Sequence, residues 1–578
     1  MCGIFCSVSR HCHILPSREV QGLLDARGPD ASNVVYISPE DSPDGVPGAF
    51  TTLCSTVLSL RGQVTVSQPF RRSSSGSTIC WNGEAWSIAG AQPDGNDTAH
   101  VFDILEKAAR QPVPVMDAHE ELLYATQSIS RAISQVAGPY AFVFHHAVSH
   151  RLFFGRDFLG RRSLLHRITE EGDLLLSSVT DGTIDNSWSE VEADGVYCID
   201  LSKRSYSRDT HEDAFHKWGE HFVANAPHTV IPQLSLNREI AKAPEHLTEQ
   251  SPSVSRLEKL LIDSLRPRVQ AIPDPPNRPG TDTALTRARL AILFSGGLDC
   301  TVLARLTHDL LPVSEPIDLL NVAFENPRVH KAKGEASYEL CPDRITARAS
   351  YAELCSVCPD REWRLVAINI PYSETQNHRQ QVITLMHPHN TEMDLSIAYA
   401  LYFAARGTGH LEVEGKSQTA QYTTSARVLL SGLGADELFA GYTRHATAYN
   451  RNGFPGLLDE LDLDIGRLGK RNLGRDDRVI SHWSREVRFP FLDEDIVGWA
   501  LSITVTDKCD FGAVATDDGD QSDADGSKHI EHGKKVLRCL ALRLGMKQVA
   551  KEKKRAIQFG ARTAKMETGK TKGTTLLS

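Results

Sequence analysis

Several protein classes are excluded by what these 578 residues lack. No apolar run approaches the ~18 residues of a membrane-spanning helix, so no membrane partner is expected. The N-terminus lacks the basic region and apolar core of a secretory signal. The twelve cysteines are scattered over a long chain rather than set in a disulfide framework. That pattern points to reduced thiols and a cytoplasmic setting. Zinc would need a fourth ligand beside Cys341, Cys355 and Cys358, and none is evident. His211, His216 and His228 have no metal-ligand spacing and read as surface histidines. The acidic stretch 517–525, DDGDQSDAD, lacks the twelfth-position Glu of a calcium loop and reads as a solvated insertion. Surplus positive charge is absent too: the net charge is −10, which argues against general nucleic-acid binding. Residues 533–578 run the other way, with 13 Lys and Arg against two Glu. Such a tail suits a polyphosphate, an RNA or a plain solvated face. What remains is ordinary for a soluble chain of two to four domains, 40% hydrophobic and 24% charged.

What is present centres on residues 290–304, LAILFSGGLDCTVLA. The apolar run, the SGGLD turn and the helical spacing of Val302, Leu303, Leu306 and Leu310 predict buried strand, tight loop and helix. Such a loop offers backbone N–H groups and a helix N-terminus to an anion. Gly296 and Gly297 allow close approach, and Ser295 adds a hydroxyl. Asp299 would be repelled by bare phosphate, so it implies a bridging Mg2+. The motif resembles the pyrophosphate-binding loop of N-type ATP pyrophosphatases, which cleave ATP to AMP and pyrophosphate. It is not the GxxxxGK loop, which carries a Lys and lacks that Asp. Residues 318–324 and 364–370 read as further buried strands. Residues 394–406 read as a helix stopped by Gly407, and 427–430 starts another strand. Residues 267–282, rich in Pro and Gly, read as a loop. Strands alternating with helices predict a doubly wound parallel sheet of the α/β class. Its ligands would lie at the strand C-terminal ends, where Ser295 and Ser431 fall.

The chain opens Met1-Cys2-Gly3-Ile4. Small Cys2 permits removal of Met1, leaving a thiol beside an α-amine of pKa ~8 that can take its proton. Downstream lie RGPD (27–30), Gln68-Pro69-Phe70, NGE (82–84), Asp97, GPYAFVF (138–144) and GRDFLG (155–160). In that order these resemble class II glutamine amidotransferases, the N-terminal-nucleophile hydrolases. The resemblance implies an α+β glutaminase domain of αββα layers. It makes Cys2 the nucleophile and gives Asn82 and the Gly83 N–H to the oxyanion hole. Glu84 and Asp97 would hold the amino-acid end of glutamine. One departure stands out: Val57 occupies the position where the family's Arg grips the substrate carboxylate. Arg61 lies four residues on, on the same face if the strand continues, but ~13 Å farther along.

Two more segments complete the pattern. SGLGADELFAGY (431–442) resembles the SGEGSDELFGGY of asparagine synthetases. EVRFPFLD (486–493) and GKKVLR (533–538) resemble their E-x-R-x-PFLD and GxKxxLR. By this resemblance Leu293 and Val322 lie near the adenine, and Ser295, Gly296, Gly297, Cys300, Ser431 and Gly432 line the nucleotide. Asp299 and Asp436 share Mg2+–pyrophosphate. Lys534 and Lys554 neutralise the leaving phosphates, the register of the second lysine within 551–554 staying open. Cys300 replaces the family's Ser, a weak thiol donor for a hydroxyl. Arg344 and the Cys-rich insertion resemble the asparagine synthetase domain-containing subgroup. The implied plan is a glutaminase domain over 1–205, a connection over 206–255 and an ATP pyrophosphatase domain over 256–578. The implied reaction takes glutamine, ATP with Mg2+, and aspartate or another carboxylic acid, with ammonia passing internally. The alternative is a binding or regulatory protein that keeps the fold and the nucleotide site, because Leu433 stands where the family has a Glu. The acceptor acid and any protein partner are not fixed by the sequence, and a homo-oligomer is compatible with it.

Overall fold

The computed structural model describes residues 2–39, 48–111, 117–182, 187–202, 223–227, 235–240, 246–275, 287–329, 334–412, 419–512, 530–566 and 573–577. His211, His216, His228, the acidic stretch 517–525 and part of the basic tail lie outside the described residues. The chain divides into two compact units. The first comprises Met1–Ile231, Gln380–Asn390 and Leu468–Glu486; the second comprises Pro232–Arg379, Thr391–Arg467 and Val487–Ser578.

The first unit is built on two six-stranded sheets. One runs, in spatial order, Ser189–Glu190, Leu165–Ile168, Leu174–Ser177, Gly3–Ser9, Phe50–Val57, Ala31–Ile37. The other runs Val223–Pro227, Gly195–Asp200, Arg151–Arg156, Tyr140–His146, Thr78–Gly83, Phe70–Arg71. Alternation decides what each face meets. Ile4, Cys6, Val8, Leu174 and Leu176 from the first sheet pack with Ala141, Val143, Leu152 and Phe154 from the second. On the second sheet's far side, Phe142, Phe144 and Phe153 pack under Phe102 and Leu105 of helix Thr98–Ala109 and Ile129 and Ile133 of helix Ala118–Ile133. Gly3, on the first sheet's far side, lies against Leu24 of helix Arg18–Arg27. The layers are therefore helix, sheet, sheet, helices. Strands Tyr140–His146 and Arg151–Arg156 are buried on both faces, which is why they read as apolar runs in the sequence. The late segment of this unit carries helix Leu473–Ser481, all nine of whose residues are buried.

The second unit holds a seven-stranded sheet in the order Thr419–Thr423, Thr408–Glu412, Trp363–Ile370, Ile317–Phe324, Leu290–Leu293, Val428–Leu430, Glu486–Arg488. The four strands from Trp363–Ile370 to Val428–Leu430 run parallel. The chain leaves Leu290–Leu293 toward Ile317–Phe324 on one side and returns at Val428–Leu430 on the other. That is a topological switch point, where open α/β sheets form a crevice at their strand C-termini.

Two expectations need correction here. Pro267 does not open a loop: helix Pro252–Val269 runs through it. Buried Arg268 holds the last turn in place, pairing with Asp493 at 2.9 Å. Arg61 does not extend a strand, because that strand ends at Val57. The Ser59 N–H turns instead to the Asp30 carboxylate at 2.7 Å, and the Leu58 N–H turns to Cys2. Among the described residues no group of three or more His, Cys, Asp and Glu could hold a metal. Cys341 donates its thiol to the Phe324 and Ser337 carbonyls. No described helix is long and apolar enough to cross a membrane.

Candidate active site

Each unit gathers one cluster of the residues singled out above. In the first unit, buried Cys2 opens the central strand of the first sheet. Its backbone N–H donates to Asn82 Oδ1 at 3.0 Å. Asn82 is fully buried at the end of strand Thr78–Gly83, and its Nδ2 has no partner among the described residues. A buried amide donor left unpaired is costly unless something later accepts from it. Gly83 closes that strand opposite Tyr140, and the next N–H, of Glu84, donates to the Pro139 carbonyl at 3.0 Å.

Asp97 immediately precedes helix Thr98–Ala109 but does not cap it. Its carboxylate accepts instead from the Ala85 N–H at 2.7 Å and Trp81 Nε1 at 3.2 Å. Burial pushes this carboxyl up, while the Ala85 N–H, Arg61 and Trp81 pull it down. Arg61 donates to the Ala85 carbonyl and lies 3.7 Å from the Glu84 carboxylate. The loop that carries Arg61 off the strand thus brings it to Glu84 and Asp97. Burial raises the Cys2 thiol, as do Asp97 and Glu486, and the Leu58 N–H lowers it.

Sequence reasoning passed over two residues here. Gln68 is buried, with Nε2 3.9 Å from Cys2 Sγ. Arg27 donates to the Cys2 carbonyl at 3.3 Å, to Ser481 Oγ at 2.5 Å and to Asp477 at 2.8 Å. Gln68 stands in the sequence within Gln68-Pro69-Phe70, which marks no role for its amide. Arg27 stands in the sequence within RGPD, which marks no role for its side chain, because its partner Asp477 lies 450 residues away.

In the second unit the SGGLD and SGLGAD loops follow adjacent parallel strands. Phe294 stands between the first strand and Ser295, its N–H donating to the Leu320 carbonyl at 2.9 Å. Gly296 has φ +79, and a Cβ there would lie 2.4 Å from the Ala347 backbone. Only glycine fits the turn. Ser295 Oγ accepts from the Gly297 N–H at 3.3 Å, and Cys300 Sγ donates to the Gly297 carbonyl at 3.3 Å. Gly432 brings the second loop against the first: a Cβ there would lie 2.8 Å from Asp299 Cβ. The Ser431 N–H donates to the Arg488 carbonyl at 3.0 Å, and its Oγ accepts from the Leu433 N–H at 3.3 Å. Leu293 registers with Leu320, so Leu293, Leu320 and Val322 share one face of the sheet.

Two lysines close this cluster. Lys534 Nζ lies 2.8 and 2.9 Å from the two Asp299 oxygens and 2.8 Å from Asp436. Lys554 pairs with the other Asp436 oxygen, so within 551–554 it is this lysine that reaches the carboxylates. Burial opposes ionisation of Asp436, but Lys534 and Lys554 overcome it and hold the carboxyl well below the usual range. Burial likewise lowers Lys554, and Asp436 and Asp299 more than restore it. Mg2+ is commonly held by one or two carboxylates plus substrate phosphates rather than by an all-protein cage. Asp299 and Asp436, joined through one ammonium, fit a metal that arrives with a polyphosphate. Glu437 accepts from Tyr442 Oη at 2.6 Å, and burial and Asp436 raise its carboxyl. Arg344 lies outside the cluster, its guanidinium filled by Asn321, Glu339 and Asn369.

Known proteins resemble this chain over nearly its whole length. The family model described as asparagine synthase matches residues 417–462 and 458–573. Asparagine synthetase domain-containing protein 1 of Mus musculus is 33% identical, over 98% of this chain and 97% of its own length. The Saccharomyces cerevisiae asparagine synthetase domain-containing protein YML096W is 32% identical, over 90% of this chain and 86% of its own. A stretch covering 14% of this chain is 49% identical to a putative glutamine-hydrolysing asparagine synthetase of Methanocaldococcus jannaschii, covering 15% of that protein. The chain belongs to the asparagine synthetase family, among its asparagine synthetase domain-containing proteins. Of solved structures, glutamine phosphoribosylpyrophosphate amidotransferase from B. subtilis has a TM-score of 0.22 at 13% identity, covering 58% of this chain and 69% of that one. That likeness is too slight to carry an argument.

Proposed function

We propose that the chain is a glutamine-dependent amidating enzyme of the asparagine synthetase type, acting on glutamine, ATP and aspartate or another carboxylic acid. In this reading the first unit is an N-terminal-nucleophile glutaminase and the second an ATP pyrophosphatase. The observation that carries it is Cys2 beside Asn82, with one amide atom engaged by the Cys2 N–H and the other a buried unpaired donor. With Met1 removed, the Cys2 α-amine takes the thiol proton and the sulfur attacks the carboxamide carbon of glutamine. Asn82 Nδ2 and the Gly83 N–H stabilise the oxyanion, an effect worth on the order of 3–4 kcal/mol per donor. The C–N bond breaks, the proton leaves with ammonia, and water cleaves the thioester to glutamate. Glu84 and Asp97 suit the α-ammonium of glutamine, and Arg61 its carboxylate.

In the second unit the acceptor carboxylate displaces pyrophosphate from ATP, and ammonia then displaces AMP to give the amide. Lys534 and Lys554 neutralise the departing pyrophosphate. Mg2+, held by Asp299 and Asp436, supplies further charge neutralisation when bound.

Cys2→Ala in the full chain should abolish glutamine hydrolysis and leave intact both the acid-dependent exchange of pyrophosphate into ATP and any amide formation from added ammonia. Undiminished glutaminase in that variant would remove Cys2 from its role. Exchange that depends on no carboxylic acid would remove the ligase reading. One observation favours a second reading: Leu433 puts an aliphatic side chain where the family has a carboxylate to assist ammonia. A protein that binds and activates but transfers poorly would exchange pyrophosphate and form little amide.

A further inference from the structure

We propose that Gln68 is a catalytic residue of the glutaminase centre, donating an amide hydrogen to the Cys2 sulfur and favouring its thiolate. The inference rests on the reading of Cys2 as the nucleophile. Gln68 is 2% exposed, and both ends of its carboxamide are engaged. Oε1 accepts from the Trp81 N–H at 2.7 Å, which orients the amide, because an NH2 group there would face another donor. Nε2 therefore faces the other way with two hydrogens and meets two acceptors. One is Thr98 Oγ1 at 3.3 Å and the other is Cys2 Sγ at 3.9 Å.

Each support comes from an element of the site. Trp81 precedes Asn82 on the same strand, and Thr98 follows Asp97 at the head of its helix. The amide is thus locked between the strand that carries Asn82 and the helix that Asp97 immediately precedes. The sulfur needs such a donor. Its surroundings oppose ionisation through burial, Asp97 and Glu486, and the Leu58 N–H pulls the other way. A second donor, the Gln68 amide, places partial positive charge where the thiolate forms and where the thioester sulfur later departs.

Gln68→Glu separates this role from a structural one. Glutamate keeps an acceptor for the Trp81 N–H but offers the sulfur a carboxylate instead of a donor. The readouts, on full-length protein with Met1 loss checked by intact mass, are glutaminase kcat and KM and the rate of Cys2 alkylation by iodoacetamide across about pH 6 to 9. The N-terminal peptide is quantified by mass spectrometry. Gln68→Glu should slow alkylation at neutral pH about tenfold and move its pH profile up by about one unit. It should lower kcat by a similar factor and change KM by less than about twofold. Gln68→Met, uncharged and of similar length, should move the profile in the same direction, and it decides the matter if the glutamate variant does not fold. Wild-type alkylation by either folded variant would overturn the proposal. The underlying reading fails separately: it falls if the wild-type chain neither hydrolyses glutamine nor alkylates at Cys2 faster than at its other thiols.

Discussion

At the residue scale the legible chemistry is that carried by short motifs, and the hidden chemistry is that supplied by single residues from elsewhere. Ser295, Asp299, Ser431 and Asp436 were readable because glycines around them imply loops and their carboxylates imply a cation. Lys554 was readable only as one of several basic residues, and contact with Asp436 singles it out. Gln68 was readable as part of Gln68-Pro69-Phe70 but its role was not, because its partners lie on other elements. In the proposed reaction, Leu433 is the residue whose identity bears most on the transfer step. Its N–H still anchors on Ser431 Oγ, so the loop keeps its shape without the family's carboxylate. Loss of a general base commonly costs about 100- to 10,000-fold. Leu433→Glu should therefore raise amide formation at least tenfold while leaving pyrophosphate exchange within about twofold. Amide formation by the unaltered chain at ordinary turnover, on the order of 10 per second, would refute the second reading, in which the chain transfers poorly.

At the element scale the parallel strands and their helices were legible because both faces are buried and the glycine stops are strong. Gly407, for example, ends helix Glu392–Arg406 in the left-handed region. The end of strand Phe50–Val57 was not legible, since Leu58 and Leu60 continue its apolar pattern. They leave the ladder because Leu58 and Ser59 offer their N–H groups to Cys2 and Asp30 instead. Helix Pro342–Val357 carries a second hidden feature in its first turn. Asp343 is buried against Gly560, with Arg555 3.7 Å away. Burial pushes this carboxyl up to about 7, against Arg555 and Lys554, which pull it down. The folded chain therefore binds this proton more tightly than the unfolded chain, whose Asp titrates near ~3.9. The stability contributed by the protonated form is complete below about pH 4 and is lost as pH rises through about 7. Asp343→Asn should be neutral near pH 4 and stabilising near pH 8, by on the order of 2–4 kcal/mol. Denaturant unfolding at the two pH values measures it, and an equal effect at both would show that Asp343 ionises freely in the fold.

At the scale of the whole molecule, sequence order misleads about what makes a unit. Residues 475–478, Arg-Asp-Asp-Arg, look like the solvated face of a surface helix, yet they are buried within the first unit. Their partners come from early in the chain. Asp477 takes Arg27 at 2.8 Å and the Ser163 N–H at 3.2 Å, and Arg162 lies 3.7 Å from it and 3.1 Å from Glu486. Arg478 donates to Glu190 at 2.7 Å and Ser163 at 2.8 Å. Removing one partner of a buried ion pair costs about 3–5 kcal/mol, because the other charge is left uncompensated. A fragment ending at residue 231 takes Asp477 from Arg27 and Arg162 and takes Arg478 from Glu190, which keeps Arg156, and the summed penalty rivals the ~5–15 kcal/mol that stabilises a domain. Residues 1–231 expressed alone should therefore lack a cooperative thermal transition and should not hydrolyse glutamine, although every motif of the glutaminase centre is present. A sharp melt with near-ultraviolet dichroism like that of the full chain would show the late segment to be dispensable. Asp477→Ala in the full chain isolates the same effect at one position: it should lower stability by about 3–5 kcal/mol, while Asp477→Asn, which keeps an acceptor for Arg27, should lose less.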